Sequence, residues 1–466
     1  MVVFFPSIKD IRAVFSRLHA RLGDFWWYSL MLFCACRAAD AMNMFVALWL
    51  VPKYVGQKEL GALMPLMSFA NFLVLPVSVF ATTFTKETTT LAANGEYGRM
   101  KSLIRGAFVS AGVFTVLALV ISHFVLPAFF VRIRVAAGSL GILILASSLT
   151  AAVTPVYQSA LQALKRYKSI SVMNMFSAPV RFLTMAVAMP FRAISGYFFG
   201  LTATSVFTIS ASVFALRREL SVPAEPYWTR PVFRRFALVS AGIAAYCGCS
   251  AILTLAEQTA LRQRIPEVES AAYYMVTRFS EIAGYVSCTL ATVLFPFTAS
   301  LAAESRPTRP LVVKSSLAML AVGGALAGVF AITGRPLMSI LPNGESYADY
   351  AWAIPWMIGI TTIASIQTFH VSTEVSAGRF GFLKWWVPLN LAFAAGLMLV
   401  TGYGYFTACF PAQCTEFLSK HNFTSLAAML WWFTATTAVK TAICVFALLR
   451  QGGKPTAEQP SVRIPA

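Results

Sequence analysis

Six ionisable residues lie where an apolar chain ordinarily carries none. Arg37, Arg181, Arg278 and Lys440 each fall within a long apolar run, with Asp40 three residues after Arg37 and Glu281 three after Arg278. A charge at mid-membrane costs at least about 2.5–3.5 kcal/mol on insertion scales, so such residues face a bundle interior or a water-filled cavity. A spacing of three sets each arginine and its acid on one helix face, where they can neutralise one another and do no more than join helices. Arg181 and Lys440 have no acid at helical spacing and carry the stronger functional signal, although the long lysine stem can also reach an interface. A desolvated guanidinium pairs bidentately with phosphate or carboxylate, so a cavity with excess positive charge suits an anionic substrate. Arg37, Arg181, Arg278 and Lys440 are therefore the candidate substrate-binding residues.

The remaining polar signals are weaker. Glu257 falls near the end of its apolar run, five residues before Arg262, and reads as interfacial, with Arg262 in the loop beyond it. His370 and Glu374, one turn apart, could hold a proton or cation, but a solvated helix end explains them as well. Cys34 and Cys36, like Cys247 and Cys249, are two apart and point to different sides of a helix, so they read as packing residues and no metal site is expected. Cys409 and Cys414 share a polar loop, where a disulfide is possible. The sequence holds no HExxH, GxSxG or P-loop pattern, so no catalytic residues, cofactor or ATP hydrolysis are expected and the chain reads as a non-enzyme.

The elements that must position these residues are membrane helices. Of 466 residues, 58% are hydrophobic and 12% charged, against about a quarter charged in soluble domains. Runs of 18 or more apolar residues recur along the chain, each long enough to span a bilayer. We expect spans near 26–51, 60–85, 103–130, 136–162, 169–191, 193–216, 236–261, 269–301, 311–334, 347–372, 385–408 and 424–449. The expected fold is all-α: a polytopic membrane protein of about 12 transmembrane helices in two pseudo-symmetric six-helix lobes around a central cavity. The domain reading is an amphipathic cytoplasmic-surface helix at 1–24, an N-terminal lobe at 25–216, a cytoplasmic linker at 217–235, a C-terminal lobe at 236–450 and a polar, disordered tail at 451–466.

The net charge of +19 does not mark a nucleic-acid binder. Of the 37 Lys and Arg residues, 24 fall in segments this topology places inside and nine outside, the other four being the intramembrane cations. That bias puts both termini in the cytoplasm, and the expected location is the cell inner membrane, in contact with lipid.

One stretch is used twice. Sliding the sequence by 210 positions carries Glu59 onto Glu269, Ala62 onto Ala272 and Phe69 onto Phe279, and further on Thr88, Leu91, Ala92 and Ala93 onto Thr298, Leu301, Ala302 and Ala303, without a gap. A fixed-offset match of this kind sets the architecture, and two parallel lobes are a transporter arrangement.

The run LVPKYVGQKELGALMPLMSFANFLVLPVSVFATTFTKE resembles the polysaccharide transporters, the Wzx-type lipid-linked oligosaccharide flippases of the multidrug/oligosaccharidyl-lipid/polysaccharide (MOP) exporter superfamily. MVTRFSEIAGYVSCTLATVLFPFTASLAAESR and GRPLMSILPNGESYADYAWAIPWM look like the matching second-lobe helices. The resemblance implies a flippase for a polyprenyl-diphosphate oligosaccharide in polysaccharide biosynthesis, working by alternating access, with the headgroup in the cavity and the lipid tail in the bilayer. It implies only a general role for the four cations. Asp40 and Glu281 are then the candidate groups for coupling to an ion, proton or sodium. The alternatives are a proton- or sodium-coupled multidrug extruder of the same superfamily, a major-facilitator transporter, which NGEYGRMK at 94–101 only faintly echoes, and a membrane glycosyltransferase or polymerase, which would want a larger outer loop.

Overall fold

The structure is a computed structural model that describes residues 34–136, 138–164, 166–303, 309–376, 380–400 and 425–451. The expected surface helix at 1–24, the Cys409/Cys414 loop and the tail lie outside the described residues. Among the described residues the secondary structure is helical, without strands. The helices are α1 (Cys34–Tyr54), α2 (Gln57–Ala93), α3 (Tyr97–Ile133), α4 (Leu140–Ala163), α5 (Tyr167–Ala215), α6 (Arg217–Ser221), α7 (Arg230–Arg264), α8 (Glu267–Ala303), α9 (Arg309–Ile340), α10 (Ala353–Ser376), α11 (Leu383–Val400) and α12 (Leu426–Gln451). Seven helical spans among the described residues are long and apolar enough to cross a membrane. Among the described residues each expected span overlaps a helix, those near 169–191 and 193–216 being the two limbs of α5.

Local chemistry explains the interruptions. In α1, Val46–Leu50 is π-helical, just before Pro52; a proline cannot donate to the carbonyl four residues back, and the ladder widens to absorb the loss. Within α5, Ala193 has φ 39° and ψ −113°, a conformation costly for a residue with a Cβ, and the chain reverses there. Gly196 returns against Met189, where a Cβ would stand 2.6 Å from the Met189 nitrogen, and Gly200 returns against Met185. Farther down the hairpin, Ser212 reaches the Met173 sulfur at 3.4 Å. The span expected at 347–372 begins later, at Ala353, because Asn343 is left-handed and Gly344–Tyr350 forms a 3-10 turn.

The described residues pack as two compact units. The first is drawn from Met1–Val46, Pro76–Leu119 and Leu145–Phe236, the second from Ala47–Leu75, Val120–Ile144 and Ala237–Ala466. In the first unit, the segment after α6 lies along the α2–α3 turn. Lys101 Nζ donates to Val222 O at 2.8 Å and the Tyr227 hydroxyl to Glu87 at 2.7 Å, while the Glu225 N–H donates to Gly98 O at 3.1 Å. Arg166 holds the end of α5 through Ala215 O and Glu219.

In the second unit, α8 is the central element. Residues Ser270 to Ser280 are all buried, as expected of a helix surrounded on every side by protein rather than presenting one apolar stripe. Tyr273 meets Phe433 and Phe279 meets Phe330, with ring centroids 5.9 and 5.6 Å apart. The 210-residue shift that marks the repeated stretch carries Gln57, the first residue of α2, onto Glu267, the first residue of α8.

Candidate functional site

In the first unit, α1 presents Arg37, Asp40 and Asn43 at successive spacings of three, hence on one face. Arg37 Nη2 lies 2.9 Å from Asp40 Oδ2. Arg181, from the first limb of α5, donates through Nη1 to Asn43 Oδ1 at 3.0 Å, and Asp40 is within electrostatic reach of Arg181 as well as Arg37. Phe45 and Phe182 pack beside this contact with centroids 6.0 Å apart. The side chains of Arg37 and Asp40 keep 32% and 25% exposure, so a ligand can reach them. Two guanidinium groups around one carboxylate leave an excess positive charge. Arg181 has no acid at helical spacing; the one within its reach comes from a helix about 140 residues earlier, which helical spacing cannot reveal.

In the second unit, Arg278 pairs with Glu281 at 2.6 Å. Its other amino group lies 3.2 Å from the sulfurs of both Met64 and Met67 on α2, and its guanidinium sits 5.0 Å from the Tyr274 ring centroid. This arginine is held between Glu281, two methionine sulfurs and an aromatic ring, and joins α8 to α2.

Lys440 on α12 has an acid too. It lies within electrostatic reach of Glu257 on α7, and Glu257 is 9% exposed, not interfacial as the sequence implied. The reason is packing: Ala256 and Gln258 to Leu261 are buried with it, so the end of α7 is inside the unit. Tyr273 continues the polar chain, accepting from Gln258 at 2.9 Å and lying within range of both Glu257 and Arg278. Arg262, expected in the outer loop just past its span, is in the last turn of α7 and 0% exposed.

The secondary candidates resolve differently. His370 Nε2 lies 3.0 Å from Ser316 Oγ. Cys249 and Cys444 pack with Val371, Phe382 and Trp386 in an apolar cluster. Among the described residues no cluster of three or more His, Cys, Asp or Glu could hold a metal. Asn43 is not among the sequence candidates, though its spacing of three from Asp40 is the signal that could have marked it; Glu257, Tyr273 and Arg262 had no sequence signal beyond lying in or beside apolar runs.

Neither a known family model nor a curated protein matches this chain by sequence. Solved structures do match by fold. A point mutant of the Vibrio cholerae MATE transporter VcmN superposes with a TM-score of 0.64 at 13% identity, covering 94% of this chain and 97% of its own. A multidrug resistance MATE transporter of the MOP superfamily, in an inward-facing conformation, gives 0.59 at 11%, covering 90% and 93%. A MOP superfamily transporter from Pyrococcus furiosus, described as having a binding pocket of reverse polarity that suggests a different function, gives 0.58 at 10%, covering 92% and 96%. The chain has the fold of the MATE transporters of the MOP superfamily. At these identities the likeness is one of fold.

Proposed function

We propose that this chain, built on the MATE exporter fold, is a flippase that moves a polyprenyl-diphosphate oligosaccharide across the cytoplasmic membrane by alternating access of two lobes, 25–216 and 236–450. The observation that carries the reading is the net-positive cluster of Arg37, Asp40, Asn43 and Arg181 among helices long and apolar enough to span a bilayer. Guanidinium groups match the planar, bidentate geometry of a diphosphate, and a cluster of this sign repels the cationic drugs that an acidic cavity would collect. The Pyrococcus furiosus neighbour supports the principle, since its described pocket polarity is reversed on the same fold.

In this reading Arg37 and Arg181 take the diphosphate, and Asp40 exchanges its arginine partners for the coupling proton or sodium when the substrate displaces it. Arg278 is paired with Glu281 and Lys440 lies within electrostatic reach of Glu257, so their contribution to substrate binding is secondary; Glu281 and Glu257 are the corresponding coupling candidates in the second unit.

A second reading, a proton- or sodium-coupled multidrug extruder, is favoured by the buried Glu257 and by the multidrug transporters among the fold neighbours. The deciding experiment reconstitutes the protein in vesicles with a fluorescent polyprenyl-diphosphate sugar and, separately, a lipophilic cationic dye. We expect flipping of the sugar, reduced at least about tenfold in Arg181→Ala, because a hydrogen bond to a charged group contributes about 1.5–3 kcal/mol. Dye export without sugar flipping by the folded wild type replaces the flippase with the extruder.

A further inference from the structure

We propose that Arg262 is the clamp of an outer gate, holding the first-half helices shut against the second half at the membrane face opposite the 217–235 linker. The inference rests on the alternating-access reading above and on the expected topology, which makes that face the outer one.

Arg262 is a buried cation that the proposed transport site does not use. It lies in the last turn of α7 at 0% exposure. Its Nε donates to Ile133 O at 3.1 Å and its Nη2 to Lys58 O at 2.9 Å. Ile133 is the last residue of α3, where carbonyls lack intrahelical donors and the helix dipole favours a cation; Lys58 is in the first turn of α2.

Three further bonds join the same two parts of the second unit. Ser270 Oγ donates to Gly61 O at 3.2 Å, the Tyr274 hydroxyl to Ala47 O at 3.3 Å, and Asn343 Nδ2 to Pro52 O at 2.7 Å. In every case the donor is a side chain of the second half and the acceptor a main-chain carbonyl of residues 47–133. Gly61 permits the approach, for a Cβ there would stand 2.6 Å from Ser270 Oγ.

Such a seam suits a surface that must part. Interdigitated apolar side chains lose packing when separated, whereas carbonyls and hydroxyls released to water find new partners. The clamp is also left incompletely satisfied when closed: Arg262 Nη1 is buried without a hydrogen-bond partner among the described residues. Its nearest carboxylate, Glu267, lies 3.9 Å from Nη2. Opening would hydrate both.

The test uses the full chain in intact cells and in inside-out vesicles, with Ser270→Cys as reporter. The probe is a membrane-impermeant maleimide, read at the peptide holding position 270 by mass spectrometry so that the native cysteines do not interfere. Ser270→Cys alone should be protected. Adding Arg262→Gln should raise labelling from outside the cell at least about tenfold, since a lost charge-assisted hydrogen bond shifts an opening equilibrium by that factor or more. Arg262→Lys should fall between, and Asn343→Ala, a milder change available if Arg262→Gln does not accumulate, should raise labelling about threefold or more. Unchanged labelling in Arg262→Gln or Asn343→Ala overturns the proposal, as does labelling only in inside-out vesicles. Because no substrate enters the assay, its result stands apart from the flipping experiment: a gate that opens in a protein that flips no sugar defeats the substrate reading and leaves the clamp.

Discussion

Charge balance separates the ionic clusters. The Arg37–Asp40–Arg181 group carries one more cation than anion, while Arg278–Glu281 and Lys440–Glu257 are neutral as pairs. Removing the carboxylate from the first leaves two arginines facing one another. Asp40→Ala should therefore lower the melting temperature in detergent by several degrees, though by less than the about 3–5 kcal/mol of breaking a fully buried pair, because both partners retain solvent contact. For the second unit, the prediction is a coupling. Lys440→Ala strands the buried Glu257 and should destabilise more than the double variant Lys440→Ala with Glu257→Gln, giving an interaction energy of about 1 kcal/mol or more in a double-mutant cycle. Additive effects would show that the two side chains do not hold one another.

Helices are shaped by a few residues whose backbone demands differ from their neighbours'. Pro52 accompanies the π-helical turn of α1, and Ala193 turns α5 back on itself at positive φ. Glycine adopts that conformation without a Cβ penalty, so Ala193→Gly should raise stability by about 0.5–1 kcal/mol despite the added freedom of the unfolded chain. Gly196→Val should do the opposite and more strongly, since its Cβ would meet the Met189 backbone; a shift of several degrees downward in thermal denaturation is the expected reading. A wild-type melting curve for Gly196→Val would show that the hairpin limbs are not held as tightly as the geometry requires.

Across the whole molecule, the repeat and the linker set the architecture. The two copies share a sequence register, but their chemistry has diverged: Arg278 and Glu281 stand where the first copy has Ser68 and Asn71. The guanidinium of one copy instead rests against Met64 and Met67 of the other. The linker is tied to the α2–α3 turn through Tyr227, Glu225 and Val222, so it is not a free tether. Tyr227→Phe combined with Lys101→Ala should raise protease cleavage within 222–229 at least about threefold in inside-out vesicles. Cleavage from the other face would reverse the topology on which the outer gate depends.

Composition and period were enough to determine an all-helical membrane chain carrying several apolar helices of bilayer length. Those properties are local: an apolar run of bilayer length, a spacing of three or a fixed offset is written along a few dozen residues. Tertiary structure alone decided which charges meet. Asp40 finds Arg181, Glu257 finds Lys440, and Arg262 leaves its expected loop to bind carbonyls of α2 and α3. Such partnerships join residues more than a hundred positions apart, and helical periodicity says which face a residue occupies without saying which helix covers it.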